Sequence, residues 1–441
     1  MKFSAIYYGL FILQGVLSSL YAQDSLSTVK LQSVSTAIDY ALKNNPDLNI
    51  YLLQQDKANS EFKTSKNYML PEVSASASRQ ININLPTTIL PGEIFGQPGE
   101  TVAAQFGQKY TFNAGVTATK SILDWQAKTQ KKIAEVNKEL ATLQTGAFEQ
   151  KLKEQVALYY YTAIITKKAL NINKSDLHVA DSILLLTSQK FEKGLVDQFA
   201  VNQAEINANN IEQNINANKI LLAQSVNQLQ IIMGLKSAEQ LVFEEEVETK
   251  LKDWKYQSEL GYDKNLSVYE YQFKSSELNL KLQKTAKLPK FNTTFYSGQQ
   301  QFRDDFALEF DSGSWTDYSY LFLSINVPVF TGFRNKNKIK TAQIESEIAR
   351  TNLLNEQIKT EAKDELLLNE YRFSVDNMQA VYENFMLTSQ NKDLSFEQYE
   401  QGIISLDQYF KTFEDYLKAE SAYLNALSNT YSYYATLLSR N

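Results

Sequence analysis

Residues 110–122 have the sequence YTFNAGVTATKSI, in which apolar and small polar side chains alternate. Alternation over about ten residues, with aromatic side chains near one end, is typical of a strand in a membrane β-barrel. Segments 72–85 and 317–329 alternate in the same way, whereas 290–302 alternates more weakly and is aromatic. One such strand would suit a soluble sheet, but four in one chain favour a membrane. We therefore predict membrane strands near residues 72–85, 108–122, 290–302 and 317–329.

The longest stretches without helix-breaking residues lie beyond these strands. Residues 125–193 contain no Pro and a single Gly, and residues 333–401 contain neither. Each stretch could form one helix of about 70 residues, roughly 105 Å long. Apolar residues recur at helical spacing, as at Ile348, Leu354 and Ile358, in a stripe too narrow for a globular core. We predict a mostly α protein whose long helices pack side by side in an elongated sheath.

The composition argues against catalysis. The 441 residues include no Cys and one His, His178, which excludes thiolate sites and His-cluster metal sites and argues against a Ser-His-Asp triad. The net charge of −6 argues against a nucleic-acid partner. We predict that the protein is not an enzyme and has no cofactor.

The N-terminus has the pattern of an export signal. Lys2 precedes an apolar run from residue 3 to residue 20, and Ala22 is followed by a polar segment. We predict a secretory signal peptide at residues 1–22, with a membrane anchor as the alternative.

The remaining chain repeats one plan. The segment Phe191–Val196 lies 208 positions before Tyr399–Ile404, and Leu70-Pro71 lies 218 positions before Leu288-Pro289. A period this long indicates duplication of one large unit. We predict two structural repeats, at 23–235 and 263–441, joined by a linker at 236–262.

The predicted strands require an assembly. A bilayer tolerates no open sheet edge, and four strands are too few to close, because the smallest common membrane barrel has about eight. Two chains would supply eight strands and three would supply twelve. A lumen wide enough for solutes favours three chains sharing a twelve-stranded β-barrel, with four strands from each.

This pattern resembles the TolC family of outer-membrane channels over essentially the whole chain after residue 22. The order and twofold recurrence of several short motifs carry the resemblance: Asn45-Pro46-Asp47-Leu48, Leu70-Pro71, Leu288-Pro289, Val329-Phe330-Thr331-Gly332, Phe191–Val196 and Tyr399–Ser405. The resemblance implies a homotrimer in outer-membrane lipid, with a helical barrel that projects into the periplasm and an equatorial belt at 236–262.

The resemblance also implies a role for the two Gly-containing segments. In the family they are the periplasmic tips, where an adaptor protein docks and the channel closes. Carried over by position, one tip is Gly194, Leu195 and Val196, and the other is Gly402, Ile403 and Ile404. Glycine permits the left-handed turn that ends a helix, and exposed aliphatic neighbours would form a contact patch. The alternative is that these are ordinary buried turn residues.

The periplasmic aperture departs from the family pattern. Members often carry acidic residues six and nine positions after the second glycine, and here those positions hold Gln408 and Lys411. Asp197 and Asp407 lie nearby in another register. We select Asp407 as the pore-facing carboxylate, with a solvated surface position as the alternative.

The function implied is passive conduction through the outer-membrane channel of a tripartite efflux pump or type I secretion system. Substrates would come from an inner-membrane transporter of the RND or ABC type through the periplasmic adaptor. The alternative is a secreted structural or adhesive coiled-coil stalk.

Overall fold

The computed structural model describes residues 28–236, 239–247 and 260–440. The predicted signal peptide lies outside the described residues, as does most of the predicted linker. Among the described helices, none is both long and apolar enough to span a bilayer.

Helices dominate the described chain. They are α1 (Val34–Asn44), α2 (Pro46–Ser65), α3 (Trp125–Glu192), α4 (Gln198–Met233), α5 (Lys264–Thr285), α6 (Arg334–Glu400) and α7 (Leu406–Arg440). The two longest, α3 and α6, contain 68 and 67 residues. Their bounds lie within one residue of the long stretches predicted from the sequence, and Gly194 and Gly402 lie just beyond their C-terminal ends.

The strands form three separate sheets. They are β1 (Thr28–Leu31), β2 (Glu72–Ile81), β3 (Thr87–Pro91), β4 (Thr101–Gln105), β5 (Tyr110–Leu123), β6 (Gln240–Phe243), β7 (Lys290–Arg303) and β8 (Thr316–Asn326). An antiparallel sheet has the order β2-β5-β7-β8, so β2 and β8 are its open edges. The other two sheets are the β3–β4 hairpin and the parallel pair β1–β6, and the sequence predicted neither of them.

Two membrane strands are shorter than the sequence predicted. Strand β2 ends at Ile81, where the chain leaves the ladder. The side-chain amide of Asn82 donates there to the backbone carbonyl of Gln108. Strand β8 ends at Asn326, opposite the first residue of β7, and Pro328 has no N–H to extend the ladder. Strands β5 and β7 lie within two residues of their predicted bounds.

The four-stranded sheet has two chemically distinct faces. Directly paired residues share a face, and the register places aliphatic and aromatic side chains on one: Val73, Ala75, Ala77, Ala114, Val116, Ala118, Phe291, Phe295, Leu321, Leu323 and Ile325. The opposite face carries small polar residues in β2 and β5, namely Ser74, Ser76, Ser78, Asn113, Thr117 and Thr119, and aromatic residues in β7 and β8, namely Tyr296, Tyr318, Tyr320 and Phe322. Such a sheet suits a wall between lipid and water.

A glycine pair interrupts the polar face. Gly115 and Gly298 are directly opposed, and the Tyr296 side chain lies over both. A Cβ atom on Gly115 would lie 2.5 Å from the Tyr296 hydroxyl oxygen. Tyr296 also stacks on Tyr320, with ring centroids 5.4 Å apart. The two glycines therefore make room for an aromatic side chain that lies flat on the sheet.

The described chain divides into two compact units, and each draws on both sequence repeats. The first comprises residues 28–53, 144–266 and 357–440 within the described ranges, and the second comprises 54–143 and 267–356. The four-stranded sheet belongs to the second unit. Both Gly-containing turn segments belong to the first.

Asn45 and Pro46 connect the helices at one end of the first unit. The Asn45 side chain accepts a hydrogen bond from the Leu48 N–H at 2.8 Å and so caps α2. Its amide nitrogen donates to the Ile232 carbonyl of α4 at 2.7 Å. Pro46 occupies the first helical position, where its missing N–H costs nothing.

Two apolar clusters hold the first unit together. One surrounds Tyr160, Leu229, Met233 and Leu427, next to the β1–β6 pair. The other packs α3, α4 and α7 together through Ile183, Ile211, Tyr409 and Phe413, among other residues, near the turn segments. The second cluster fixes the helices that carry the candidate site.

Candidate functional site

We call residues 191–196 the first turn and residues 399–404 the second turn. At the first turn, Gly194 has φ +69°, its N–H donates to the Phe191 carbonyl at 2.8 Å, and the Leu195 N–H donates to the Lys190 carbonyl at 2.9 Å. This paired pattern satisfies the last carbonyls of a helix and requires a left-handed residue. The structure therefore explains why α3 ends at a glycine.

The second turn has the same backbone. Gly402 has φ +75°, its N–H donates to the Tyr399 carbonyl at 3.1 Å, and the Ile403 N–H donates to the Gln398 carbonyl at 2.9 Å. Equivalent positions in the two sequence repeats therefore form equivalent helix-ending turns.

The side chains beside the glycines are exposed. Leu195 is 69% exposed and Ile403 is 67% exposed, whereas Val196 and Ile404 are half-buried. Each turn therefore presents one exposed aliphatic side chain, followed by one that is half-buried.

Sequence reasoning missed a third apolar residue at this surface. Phe199, the second residue of α4, is 67% exposed. It lines a shallow groove of about 510 Å³ together with residues of the first turn and the start of α7: Gly194, Leu195, Val196, Asp197, Ala200, Leu406 and Asp407. The sequence signal for its exposure was an aromatic residue two positions after the helix-capping Asp197, at the start of a helix rich in polar residues.

Asp197 is used as a helix cap. Its carboxylate oxygen accepts the Ala200 N–H at 3.0 Å, which satisfies one of the free donors at the start of α4. The residue is exposed, but its carboxylate is turned toward the backbone. Asp197, one of the four predicted aperture residues, therefore stabilises the start of α4.

Gln408 is also part of a cap. The Ser405 hydroxyl accepts a hydrogen bond from the backbone N–H of Gln408 at 3.3 Å. The side-chain oxygen of Gln408, Oε1, accepts one from the backbone N–H of Ser405 at 3.1 Å. This reciprocal pair is a capping box at the start of α7. Asp407 and Lys411 are exposed on the same helix. The position that holds a carboxylate in the family pattern is thus occupied here by an uncharged cap.

Tyr399 ties the second turn to α3. Its hydroxyl shares a hydrogen bond with the Thr187 hydroxyl at 3.1 Å. The Lys190 ammonium donates to the Tyr399 carbonyl at 3.2 Å and lies 3.9 Å from the centre of its ring. The sequence did not identify this contact, because its members are more than 200 positions apart.

Several solved structures of membrane proteins have a similar fold. A membrane protein from Pseudomonas aeruginosa is 16% identical, with a TM-score of 0.76 over 92% of this chain and 93% of that chain. The CmeC outer membrane channel of Campylobacter jejuni is 16% identical, with a TM-score of 0.72 over 92% and 85%. The outer membrane protein VceC of Vibrio cholerae is 14% identical, with a TM-score of 0.75 over 92% and 95%. No curated protein sequence matches the chain significantly.

The long helices, the open four-stranded sheet and these likenesses define the class as a TolC-type channel fold. Residues 37–235, which cover most of the first repeat, match the family model described as outer membrane efflux protein. The resemblance to the TolC family that the sequence indicated is therefore confirmed, by the family model over residues 37–235 and by the fold over most of the chain. The family and the fold are those of transport channels rather than enzymes.

Proposed function

We propose that this chain forms a homotrimeric channel in the outer membrane and that its first and second turns dock a periplasmic adaptor protein. The adaptor would connect the channel to an inner-membrane transporter of the RND or ABC type. Substrates would then pass passively through the helical barrel in the periplasm to the exterior. The channel could serve a tripartite efflux pump or a type I secretion system.

The unfinished surfaces of the single chain support the trimer. Strands β2 and β8 have unpaired edges, and unpaired backbone groups in hydrocarbon cost several kcal/mol each. Helix α6 also exposes apolar side chains within the first unit, at Ile358, Leu366, Phe373 and Leu387. Neighbouring subunits would cover both features.

The equivalent exposure of Leu195 and Ile403 carries the docking proposal. Nothing in the local packing requires an aliphatic side chain at either position, because each is about two-thirds exposed. The groove beside them provides a concave surface with an aromatic wall at Phe199. An adaptor that offers a small apolar side chain would bury this surface.

The test is export by a strain that carries Leu195→Asp and Ile403→Asp together. We expect export to be lost while the trimer remains intact, because the charges lie on the surface. The matched control replaces Leu195 by Ile and Ile403 by Leu, and it should export normally. Normal export by the Asp variant would contradict the docking proposal.

The mass of the purified protein in mild detergent, corrected for bound detergent, tests the assembly separately. Three chains are expected. A stable monomer in the membrane would contradict the shared barrel and favour the coiled-coil stalk.

Within this channel we place Asp407 at the periplasmic aperture, with Gln408 and Lys411 beside it and Asp197 at the neighbouring helix start. Asp407 lines the groove, is exposed and does not cap α7, since Ser405 and Gln408 do so. Threefold symmetry would then bring three copies of Asp407 around the axis.

A further inference from the structure

A cluster of charged side chains is buried between three helices of the first unit. Asp176 on α3, Lys392 on α6 and Glu420 on α7 are 1%, 8% and 3% exposed. Charged residues are almost never this buried unless they are paired. Two carboxyl groups therefore share the interior with a single ammonium group.

The two carboxyl groups have different partners. Asp176 accepts a hydrogen bond from the Tyr416 hydroxyl at 3.0 Å, and its Oδ1 lies 3.6 Å from the Lys392 ammonium. Glu420 accepts one hydrogen bond from the Asn173 side-chain amide at 2.8 Å. Asn173 is oriented by Asn218 of α4, whose amide donates to the Asn173 oxygen at 2.8 Å. Asp176 is therefore the better stabilised anion.

The carboxyl groups also interact with each other. Tyr416, one helical turn before Glu420 on α7, bonds to Asp176, and Asn173, three residues before Asp176 on α3, bonds to Glu420, so the two buried carboxyl groups are neighbours across the α3–α7 contact. Burial and the adjacent Asp176 carboxylate raise the pKa of Glu420 to about 8. Burial also raises the pKa of Asp176, but Glu420, Lys392 and Tyr416 oppose that effect. The environment therefore favours the protonated form of Glu420 more strongly than that of Asp176.

The groups around the cluster add little positive charge. Tyr409 and Tyr416 on α7 and Asp393 on α6 face it, and burial raises the pKa of both tyrosines, so they stay neutral. The Lys392 ammonium also lies 4.3 Å from the centre of the Tyr416 ring. In the part of the chain that the structure describes, Lys392 is the one cation in ion-pair contact with Asp176.

We propose that Asp176 and Glu420 form a proton-dependent latch between α3 and α7. One shared proton leaves the three buried groups of Asp176, Lys392 and Glu420 with no net charge and lets one carboxyl group donate to the other. The Lys392 ammonium also lies 3.6 Å from the exposed carboxylate of Asp393, so it cannot offset a second buried negative charge. Loss of that proton leaves an uncompensated buried negative charge, and the two helices separate more readily.

The latch deepens the proposed function, because α3 and α7 lead to the two turns. Asp176 lies 18 positions before Gly194, and Glu420 lies 18 positions after Gly402. At 1.5 Å per residue, each is roughly 27 Å along its helix from its own turn. Loosening α3 from α7 at this level would make the turns easier to move apart, so alkaline pH should favour opening of the aperture.

The sign of the pH effect follows from proton binding. A carboxyl whose pKa is raised in the folded state binds more protons there than in the opened state. Its contribution to stability is fully present below the ordinary pKa of 4.5 and is lost as the pH rises to about 8. The packing of α3 against α7 should therefore weaken across this range.

The test is hydrogen exchange of the full-length protein in detergent, followed from pH 5 to pH 9. In the wild type, protection factors of amides near residues 176 and 420 should fall by up to about tenfold per pH unit until about pH 8. In Glu420→Gln, whose amide imitates the protonated acid, they should stay nearly constant. The matched control, Glu414→Gln, removes an exposed carboxylate from the same helix and should behave as the wild type.

Conductance of the same proteins in planar bilayers separates this inference from the proposed function. An open probability that rises with pH in the wild type and in Glu414→Gln, but not in Glu420→Gln, supports the latch. Equal pH dependence in Glu420→Gln and the wild type would overturn it. So would a flat exchange profile in the wild type, a measurement that needs no variant to fold. If no channel forms at all, the proposed function fails, whereas the exchange profiles still decide the latch.

Discussion

The first and second turns have the same backbone but differ in the chemistry around it. Gly194 and Gly402 have φ values of +69° and +75°, and the same pair of hydrogen bonds ends each helix. Leu195 and Ile403 are also exposed to the same extent. The repeat thus preserves the geometry that ends a helix and exposes one aliphatic side chain.

The helix that follows each turn begins differently. Asp197 caps α4 with a carboxylate, whereas Ser405 and Gln408 cap α7 without any charge. The second turn is also fastened to α3 by Tyr399. A carboxylate that caps a helix is held on the backbone, so the uncharged cap of α7 leaves Asp407 available for another role. Similar backbones therefore do not imply similar charges beside the two turns.

The largest effect is expected from removing what the two turns share. Gly194→Val and Gly402→Val would each force a β-branched residue into a left-handed backbone conformation, at a cost of about 1–3 kcal/mol. No atom lies within 4 Å of a Cβ at either glycine, so the cost should come from the backbone alone and be similar at both. Hydrogen exchange at the ends of α3 and α6 measures it. Asn tolerates this conformation and serves as the control, and clearly unequal costs would contradict the equivalence of the two turns.

The next effect concerns a contact that belongs to the second turn alone. Tyr399→Phe removes the hydroxyl that bonds to the fully buried Thr187, and the expected loss is about 0.5–1.5 kcal/mol. A double-mutant cycle with Thr187→Val isolates the pair, because the double variant leaves neither hydroxyl unsatisfied. The comparison is Phe191→Ala at the equivalent position of the first turn, where the wild-type residue has no hydroxyl. Additive losses in the cycle would mean that the Tyr399–Thr187 bond does not hold the turn.

The helix caps should give losses of similar size. Ser405→Ala and Asp197→Ala each remove a side-chain acceptor, at an expected cost of about 0.5–2 kcal/mol in the first turn of the helix. Gln408→Ala should cost less, because it removes only the returning half of the capping box. Protection of the amides at residues 200 and 408 reports each cap directly. A loss confined to Asp197→Ala would show that the capping box at Ser405 contributes nothing.

Features set by local sequence were predicted accurately, whereas contacts between residues far apart in the chain were not. Helices α3 and α6 were predicted within one residue, because the absence of Gly and Pro is a local property. The β1–β6 pair joins residues more than 200 positions apart, and no local pattern marks either strand as its partner. The Asp176–Glu420 cluster was missed for the same reason.

The site was predicted where a repeat marked it and was incomplete elsewhere. Both glycines and both exposed aliphatic residues were found through the 208-residue recurrence. Phe199 has no equivalent in the second repeat, where Asp407 occupies its position, so the recurrence could not identify it. Asp197 was chosen by its charge, but the sequence did not show that this charge would cap a helix.

The smallest effect gives the most specific test of the comparison. If Asp407 lines the aperture, Asp407→Asn should raise the Mg²⁺ concentration needed for half-block in planar bilayers by up to about fivefold, the size expected when an exposed charge interaction of about 1 kcal/mol is lost. Lys411→Gln should lower that concentration, since it removes a positive charge one helical turn away. Asp197→Asn should change it less than Asp407→Asn does, because the Asp197 carboxylate is directed at the backbone. Equal effects of the Asp197 and Asp407 variants would contradict the distinction between a capping carboxylate and a pore-facing one, whereas no effect of either would mean that neither lies at the aperture.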